Sequence, residues 1–166
     1  SEVGRLKDLS GYVVGLAGEK ADDVPLPDPP VRAGDQEEVD DELKILRWVL
    51  ERGENLIAIS STTDSGVLGV TSARVFHASR RSLLNDGAIE RAFPLGDVRY
   101  VRFKAEGRGA PGLDVISRRE DLSVTFSGGD REGARRVADL LATAMHLPDE
   151  ERMSDPLMLE VLDTRR

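Results

Sequence analysis

The sequence contains no cysteine, only 2 histidines, and aromatic residues at 4% of the chain. The absence of cysteine excludes a disulfide framework and every metal site that needs thiolate ligands. No apolar run approaches the roughly 18–20 residues that a membrane-spanning helix needs, and the N-terminus lacks the basic-then-apolar layout of a signal peptide. Together these absences predict a cytoplasmic protein.

Basic residues are outnumbered by acidic ones, 23 to 31, which gives a net charge of −8. This charge is unevenly distributed along the chain. Residues 1–53 hold 7 basic and 13 acidic side chains, whereas residues 54–129 hold 10 and 9. Residues 130–166 hold 6 and 9, so both flanks are acidic. Such a field does not attract phosphates, so we expect no nucleic-acid partner, and membrane lipid is disfavoured.

Residues with catalytic or ligand-binding chemistry are few and show no familiar spacing. His77 falls within a strand-like run and His146 at the end of a helix-like run, so both are interpreted as structural. The sequence has no H-x-x-x-H pair for a metal and no G-x-S-x-G motif for a nucleophile. The glycine cluster at 106–112 lacks the G-K-[ST] ending of a phosphate loop. We therefore expect no catalytic residue, no metal site and no cofactor.

The first third of the chain reads as two helices joined by a linker. Residues 1–17 carry apolar side chains at three- and four-residue intervals, which predicts an amphipathic helix. Residues 18–41 are rich in proline and carboxylates and predict an extended linker. Residues 42–52 predict a second helix that ends before Gly53. Its apolar side is expected to contain Leu43, Ile45, Leu46, Val49 and Leu50.

From residue 54 onward the apolar pattern changes to a period of two, which is typical of strands. The predicted strands cover 55–60, 66–71, 74–79, 87–93, 97–104, 112–117 and 122–127. In the last of them Leu122, Val124 and Phe126 share one face, so they are predicted to be buried. A helix follows over 130–146, with Asp130 as its cap. Its predicted apolar stripe contains Ala134, Val137, Ala138, Leu141 and Met145. Because strands do not alternate with helices, a parallel α/β sheet is disfavoured.

Residues 54–146 resemble the bacterial pleckstrin-homology-like (PH-like) domains. The resemblance rests on "GVLGVTSARVFHAS" (66–79), on "FPLGDVRYVRF" (93–103), and on "GLDVIS…LSVTFSGG" followed by a helix with a "VADLL" core. It implies a mainly β fold, a seven-stranded antiparallel β-sandwich or barrel that a C-terminal helix caps. The chain would then divide into an N-terminal helix and linker (1–41), a PH-like domain with a leading helix (42–146) and a helical tail (147–166). The opening hairpin would be scaffold, with Val67, Val70, Val75 and Phe76 in the core.

Basic residues cluster in the PH-like region but not where lipid-binding PH domains use them. The stretch "ISSTTDSGVLG" (59–69), which corresponds to the lipid-binding loop, contains no Lys or Arg. The arginines are interpreted first as a solvated strand face. The candidate interaction surface comprises Arg80, Arg81, Arg99 and Arg102, together with Leu157, Leu159 and Leu162 of the apolar tail.

These observations favour a non-catalytic protein-interaction or assembly module, whose partner is another protein or a second copy. A peripheral lipid-binding module and an accessory subunit of an enzyme, or an enzyme itself, remain as alternatives. Residues 1–17 are expected to make their contacts away from the core of their own domain, as part of an assembly surface.

Overall fold

Strands dominate the computed structural model, which describes residues 11–17, 30–34, 36–105, 109–127 and 130–146. Its strands are β1 (Tyr12–Leu16), β2 (Val31–Ala33), β3 (Leu56–Thr62), β4 (Gly66–Thr71), β5 (Arg74–Ser79), β6 (Arg91–Pro94), β7 (Val98–Lys104), β8 (Gly112–Ser117) and β9 (Asp121–Thr125). Its helices are α1 (Gln36–Val49), α2 (Arg80–Asp86) and α3 (Arg131–Ala144), with a 3₁₀ turn at Leu95–Asp97. The predicted mainly β class is confirmed.

The strands form two sheets. Sheet A has the order β1-β7-β8-β9, and sheet B has the order β2-β3-β4-β5-β6. All neighbouring pairs are antiparallel except β2 and β3, which run parallel. A single bridge between Thr62 and Phe126 joins the sheets at one corner. The described residues thus contain nine strands, where seven were expected. The strands lie in two sheets and do not form one closed barrel.

The main core lies between the two sheets and α3. Leu122, Val124 and Phe126 are buried there, as the alternation of the last predicted strand required. The apolar stripe of α3 packs into the same cluster, because positions three and four apart share one face of a helix. Asp130 caps α3 through its side chain, which accepts a hydrogen bond from the Gly133 amide at 2.9 Å. The predicted C-terminal helix and its buried face are confirmed.

A second core lies on the opposite face of sheet B, under α1 and α2. Val39 and Leu46 of α1 and Leu83 of α2 pack there against the sheet residues Val67 and Phe76. Sheet B is therefore covered on both faces, and every residue of β4 is buried. This double burial explains why the β4 sequence "GVLGVT" shows little polar alternation.

The short helix α2 has a capping residue at each end. Ser79 accepts a hydrogen bond from the Ser82 amide, and Gly87 ends the helix with a φ of 61°. A residue with positive φ is favoured as glycine because it carries no Cβ. The sequence "SRRSLLNDG" (79–87) contains both signals, but no helix was predicted over residues 80–86.

The predicted helix over residues 1–17 is wrong where the structure describes it. Residues 12–16 form β1, which pairs with β7 from Tyr12 opposite Phe103 to Leu16 opposite Tyr100. A Cβ at Gly15 would lie 2.7 Å from the Ala142 Cβ, so this strand packs closely on α3. The expectation that the segment avoids its own core is also wrong for these residues, whereas residues 1–10 lie outside the described part.

The predicted linker over 18–41 is likewise wrong in its second half. Residues 31–33 form β2 at the edge of sheet B, and α1 begins at Gln36. Asp40 and Asp41, which lie in the stretch predicted as linker, are residues of α1. The helix predicted over 42–52 therefore begins earlier and ends at Val49.

Candidate functional site

Trp48, the single tryptophan of the chain, stands on the outer side of α1. Its side chain is 83% exposed, more than any other large hydrophobic residue that the structure describes. Leu46, two residues earlier, is buried against sheet B. Since each helical residue turns by about 100°, a residue two positions later points about 200° away. Trp48 therefore projects outward from a helix whose opposite side is anchored in the core.

Ion pairs fix α1 to the rest of the molecule. Arg80 Nη2 lies 3.0 Å from Asp41 Oδ2, and Arg80 Nε lies 3.6 Å from Oε1 of the fully buried Glu42. Near the beginning of the helix, Arg32 Nη1 of β2 lies 2.6 Å from Asp40 Oδ1. The packed apolar face anchors the helix on sheet B, and these pairs add contacts near its beginning.

A buried carboxylate lies just beyond the end of α1. The Glu54 side chain is 1% exposed and accepts hydrogen bonds from Thr71 Oγ1 at 2.6 Å and Arg74 Nε at 2.8 Å. It also accepts from Arg74 Nη2 at 3.1 Å and from the Glu51 amide at 3.0 Å. Burial alone would raise the pKa of Glu54, but these hydrogen bonds and the Arg74 charge lower it below its usual value. Glu54 is therefore ionised at neutral pH and holds Arg74 in one orientation.

An open pocket of about 380 Å³ lies beside this ion pair. Ala73, Ala92 and Pro94 form its apolar walls, and its polar lining comes from Glu51, Glu54 and Arg74. The turn between β4 and β5 supplies one side, β6 supplies another, and the segment after α1 supplies the third. Glu51 follows two residues after the end of α1 and Trp48 is the last residue but one of that helix, so both belong to the same end of α1.

His77 belongs to a different cluster, at the turn between β3 and β4. Its Nε2 atom lies 3.2 Å from Thr62 Oγ1 and 3.6 Å from Asp64 Oδ1, and Thr62 donates a hydrogen bond to Asp64 at 2.5 Å. The hydrogen bond from Thr62 is the main cause of the lowered pKa of Asp64. A Cβ at Gly66 would lie 2.5 Å from both His77 Nε2 and Thr62 Oγ1, so this position requires glycine. His77 thus contacts Thr62 and Asp64, and its structural role stays a prediction.

A row of polar side chains crosses the outer face of sheet A. Arg102 stands opposite Asp114, which stands opposite Ser123. Arg102 donates to Asp114 Oδ2, while Oδ1 accepts from Ser123 Oγ at 2.7 Å and lies 3.1 Å from Lys104 Nζ. Burial, and next the Arg102 charge, lower the pKa of Lys104. Arg102 and Asp114 are only 6% and 2% exposed, so this row is a buried ion-pair network.

The structure does not bring the sequence-predicted surface residues together. Arg80 is engaged with α1, and Arg102 is buried in its pair with Asp114. Arg81 is exposed on α2, whereas Arg99 is exposed on β7 of sheet A. Arg80 and Arg102 therefore do not offer a free guanidinium to a partner. Leu157, Leu159 and Leu162 lie outside the described residues.

Sequence reasoning missed Trp48 and the Glu54–Arg74 pair. A signal for Trp48 existed, because an aromatic residue on the polar side of a predicted amphipathic helix is unusual. No local signal joins Glu54 to Arg74, because the β3–β4 hairpin is what brings them together.

The described residues contain no group of three or more His, Cys, Asp or Glu side chains that could hold a metal ion. In the same part of the chain, no helix has the length and apolar character needed to cross a bilayer. Comparison of the whole chain with protein-family models, with curated proteins and with solved structures gives no match.

Proposed function

We propose that this protein is a non-catalytic, cytoplasmic protein-interaction module that binds another protein through the outer side of α1. The observation that carries the proposal is Trp48, an indole 83% exposed on a helix whose opposite side packs against sheet B. Tryptophan is the residue type most enriched at the energetic centres of protein interfaces.

The free energy available from Trp48 is large. A buried aromatic side chain removes about 150–250 Å² from water, at about 25 cal/mol per Å². Covering the part of Trp48 that is now exposed would therefore stabilise a complex by about 3–5 kcal/mol before the costs of association. The helix is already fixed by its inner face, so little further ordering of α1 is needed on binding.

The PH-like kinship inferred from sequence belongs to the same proposal. In its support, β3 to β6 follow one another as neighbours in one sheet, β7 to β9 do so in the other, and a helix comes last. A compact scaffold of this kind that displays an added helix at its surface suits an adaptor, because recognition then resides in the added element.

The test compares three forms of the full chain as bait in a native lysate: wild type, Trp48→Ala and Arg136→Ala. Arg136 is exposed on α3, outside the proposed surface, and is the control. We expect a protein that wild type and Arg136→Ala retain and that Trp48→Ala loses. Binding of the purified partner should then shift Trp48 fluorescence to shorter wavelength and protect it from acrylamide.

Two other outcomes are informative. A solution mass that falls from dimer to monomer on Trp48→Ala would identify the partner as a second copy, which supports the proposal. Equal retention by all three baits, or Trp48-dependent pelleting with anionic vesicles, would overturn it, the latter in favour of the lipid-binding alternative.

A further inference from the structure

The pocket beside the Glu54–Arg74 pair has the form of a side-chain receptor. Its volume is about 380 Å³, and it is open to solvent on one side. Ala73, Ala92 and Pro94 give the pocket apolar surface that suits a methylene stem, and Glu51, Glu54 and Arg74 give it polar groups. A long side chain with an apolar stem and a polar end matches this division.

The charges around the pocket favour a ligand whose polar end is positively charged. Glu54 and Arg74 neutralise each other through two hydrogen bonds. Glu51 is exposed and makes no ion pair with any residue in the described ranges, so its carboxylate gives the lining a net charge of −1. The C-terminal end of α1, at Val49, adds the partial negative charge of the helix dipole. Both contributions attract a cation and repel an anion.

The roles of the two carboxylates differ. Glu54 accepts four hydrogen bonds from Thr71, Arg74 and the Glu51 amide, so both of its oxygens are occupied. Its role is to hold Arg74, which lines the pocket, in one orientation. Glu51 is the group that remains available to an incoming ligand. The geometry points to a receptor pocket for a basic side chain, lysine or arginine, of the partner protein, with Glu51 as its counter-ion.

This inference rests on the proposed function, because it names the partner residue that would enter beside Trp48. The pocket can nevertheless be probed without any partner. The probe is N-acetyl-L-arginine methylamide, and the matched control is the citrulline analogue, which has nearly the same shape and no charge. Binding is followed on the ¹⁵N-labelled full chain by the amide signals of Ala73, Arg74 and Ala92.

We expect saturable shifts of these signals by the arginine probe, with a Kd in about the millimolar range, and none by the citrulline probe. Glu51→Gln should weaken binding roughly fivefold, which corresponds to about 1 kcal/mol for one ion pair in water. Glu132→Gln, an equal charge change at an exposed position of α3, should leave the Kd unchanged. Ala92→Leu narrows the pocket while keeping every charge, and should abolish binding.

Equal shifts by both probes, or no saturation by either, would overturn the pocket assignment. So would an equal loss of affinity in Glu51→Gln and Glu132→Gln, since that result means a response to net charge alone. Failure of the proposed function shows separately, as lysate capture that does not depend on Trp48.

Discussion

Gly69 in β4 leaves space for the ring of Phe76, its neighbour across the strand pair with β5. Phe76 is fully buried in the core under α1 and α2. A Cβ on residue 69 would fall well inside van der Waals contact with the ring, 2.8 Å from Cε2 and nearer still to two other ring atoms. The ring is enclosed by the helices and cannot move aside freely.

Gly69→Ala should therefore destabilise the fold by about 1–3 kcal/mol, the usual cost of overpacking a core. Phe76→Ala alone should cost about 3–5 kcal/mol, because it removes a buried ring. In the double variant the added methyl enters the vacated space, so we expect its loss to be close to that of Phe76→Ala. The coupling free energy between the two changes is then about 1–3 kcal/mol, which is larger than the deviation of about 0.5 kcal/mol seen between independent sites.

The assay is urea unfolding of the full chain followed by far-UV circular dichroism, with equal m-values required across the cycle. Tryptophan fluorescence is a poor reporter of unfolding here because Trp48 is already exposed in the folded state. The control is Gly96→Ala, since a Cβ at that position meets no atom within 4 Å. A Gly69→Ala change within about 0.5 kcal/mol of wild type, or strict additivity in the double variant, would refute the steric argument.

Three further changes test other parts of the structure. The pKa of Glu54 is lowered in the folded state, so its contribution to stability is present above its unfolded pKa of about 4.5 and is lost as pH falls below that value. Glu54→Gln should therefore weaken the pH dependence of the free energy of unfolding measured by urea titration. An unchanged pH dependence would contradict this assignment. Asp130→Ala removes the cap of α3 and should cost about 1 kcal/mol, whereas Asp130→Ser should recover most of the loss. Asp114→Ala leaves Arg102 buried without its counter-ion and should cost about 3–5 kcal/mol by thermal unfolding; a cost near zero would show that water reaches the pair.

The strands that sequence alone located best are those with clear turns at both ends. Gly66–Thr71, Arg74–Ser79 and Gly112–Ser117 have the bounds that the turn residues around them predict. The C-terminal helix was equally clear, because a cap and an apolar stripe of period 3.6 agree there. In such segments local chemistry and tertiary packing favour the same structure.

The errors fall where the tertiary partner decides the conformation. The spacing of Val13 and Leu16 fits a helix, yet a free edge of β7 was available and β1 pairs with it. For the three residues of β2, no alternation can be detected in so short a run. The pocket was beyond reach for the same reason, because its lining comes from three separate segments of the chain.

The position of β1 in sheet A also constrains how the chain can fold during synthesis. Tyr12 leaves the ribosome long before Phe103, its partner in β7, has been made. Until then the strand has no edge to join, and its own hydrogen-bonding groups remain open to incorrect pairing. The hairpins of sheet B, in contrast, can form as soon as each turn emerges. β1 is thus synthesised before the other described strands, yet it cannot pair until β7 has been made.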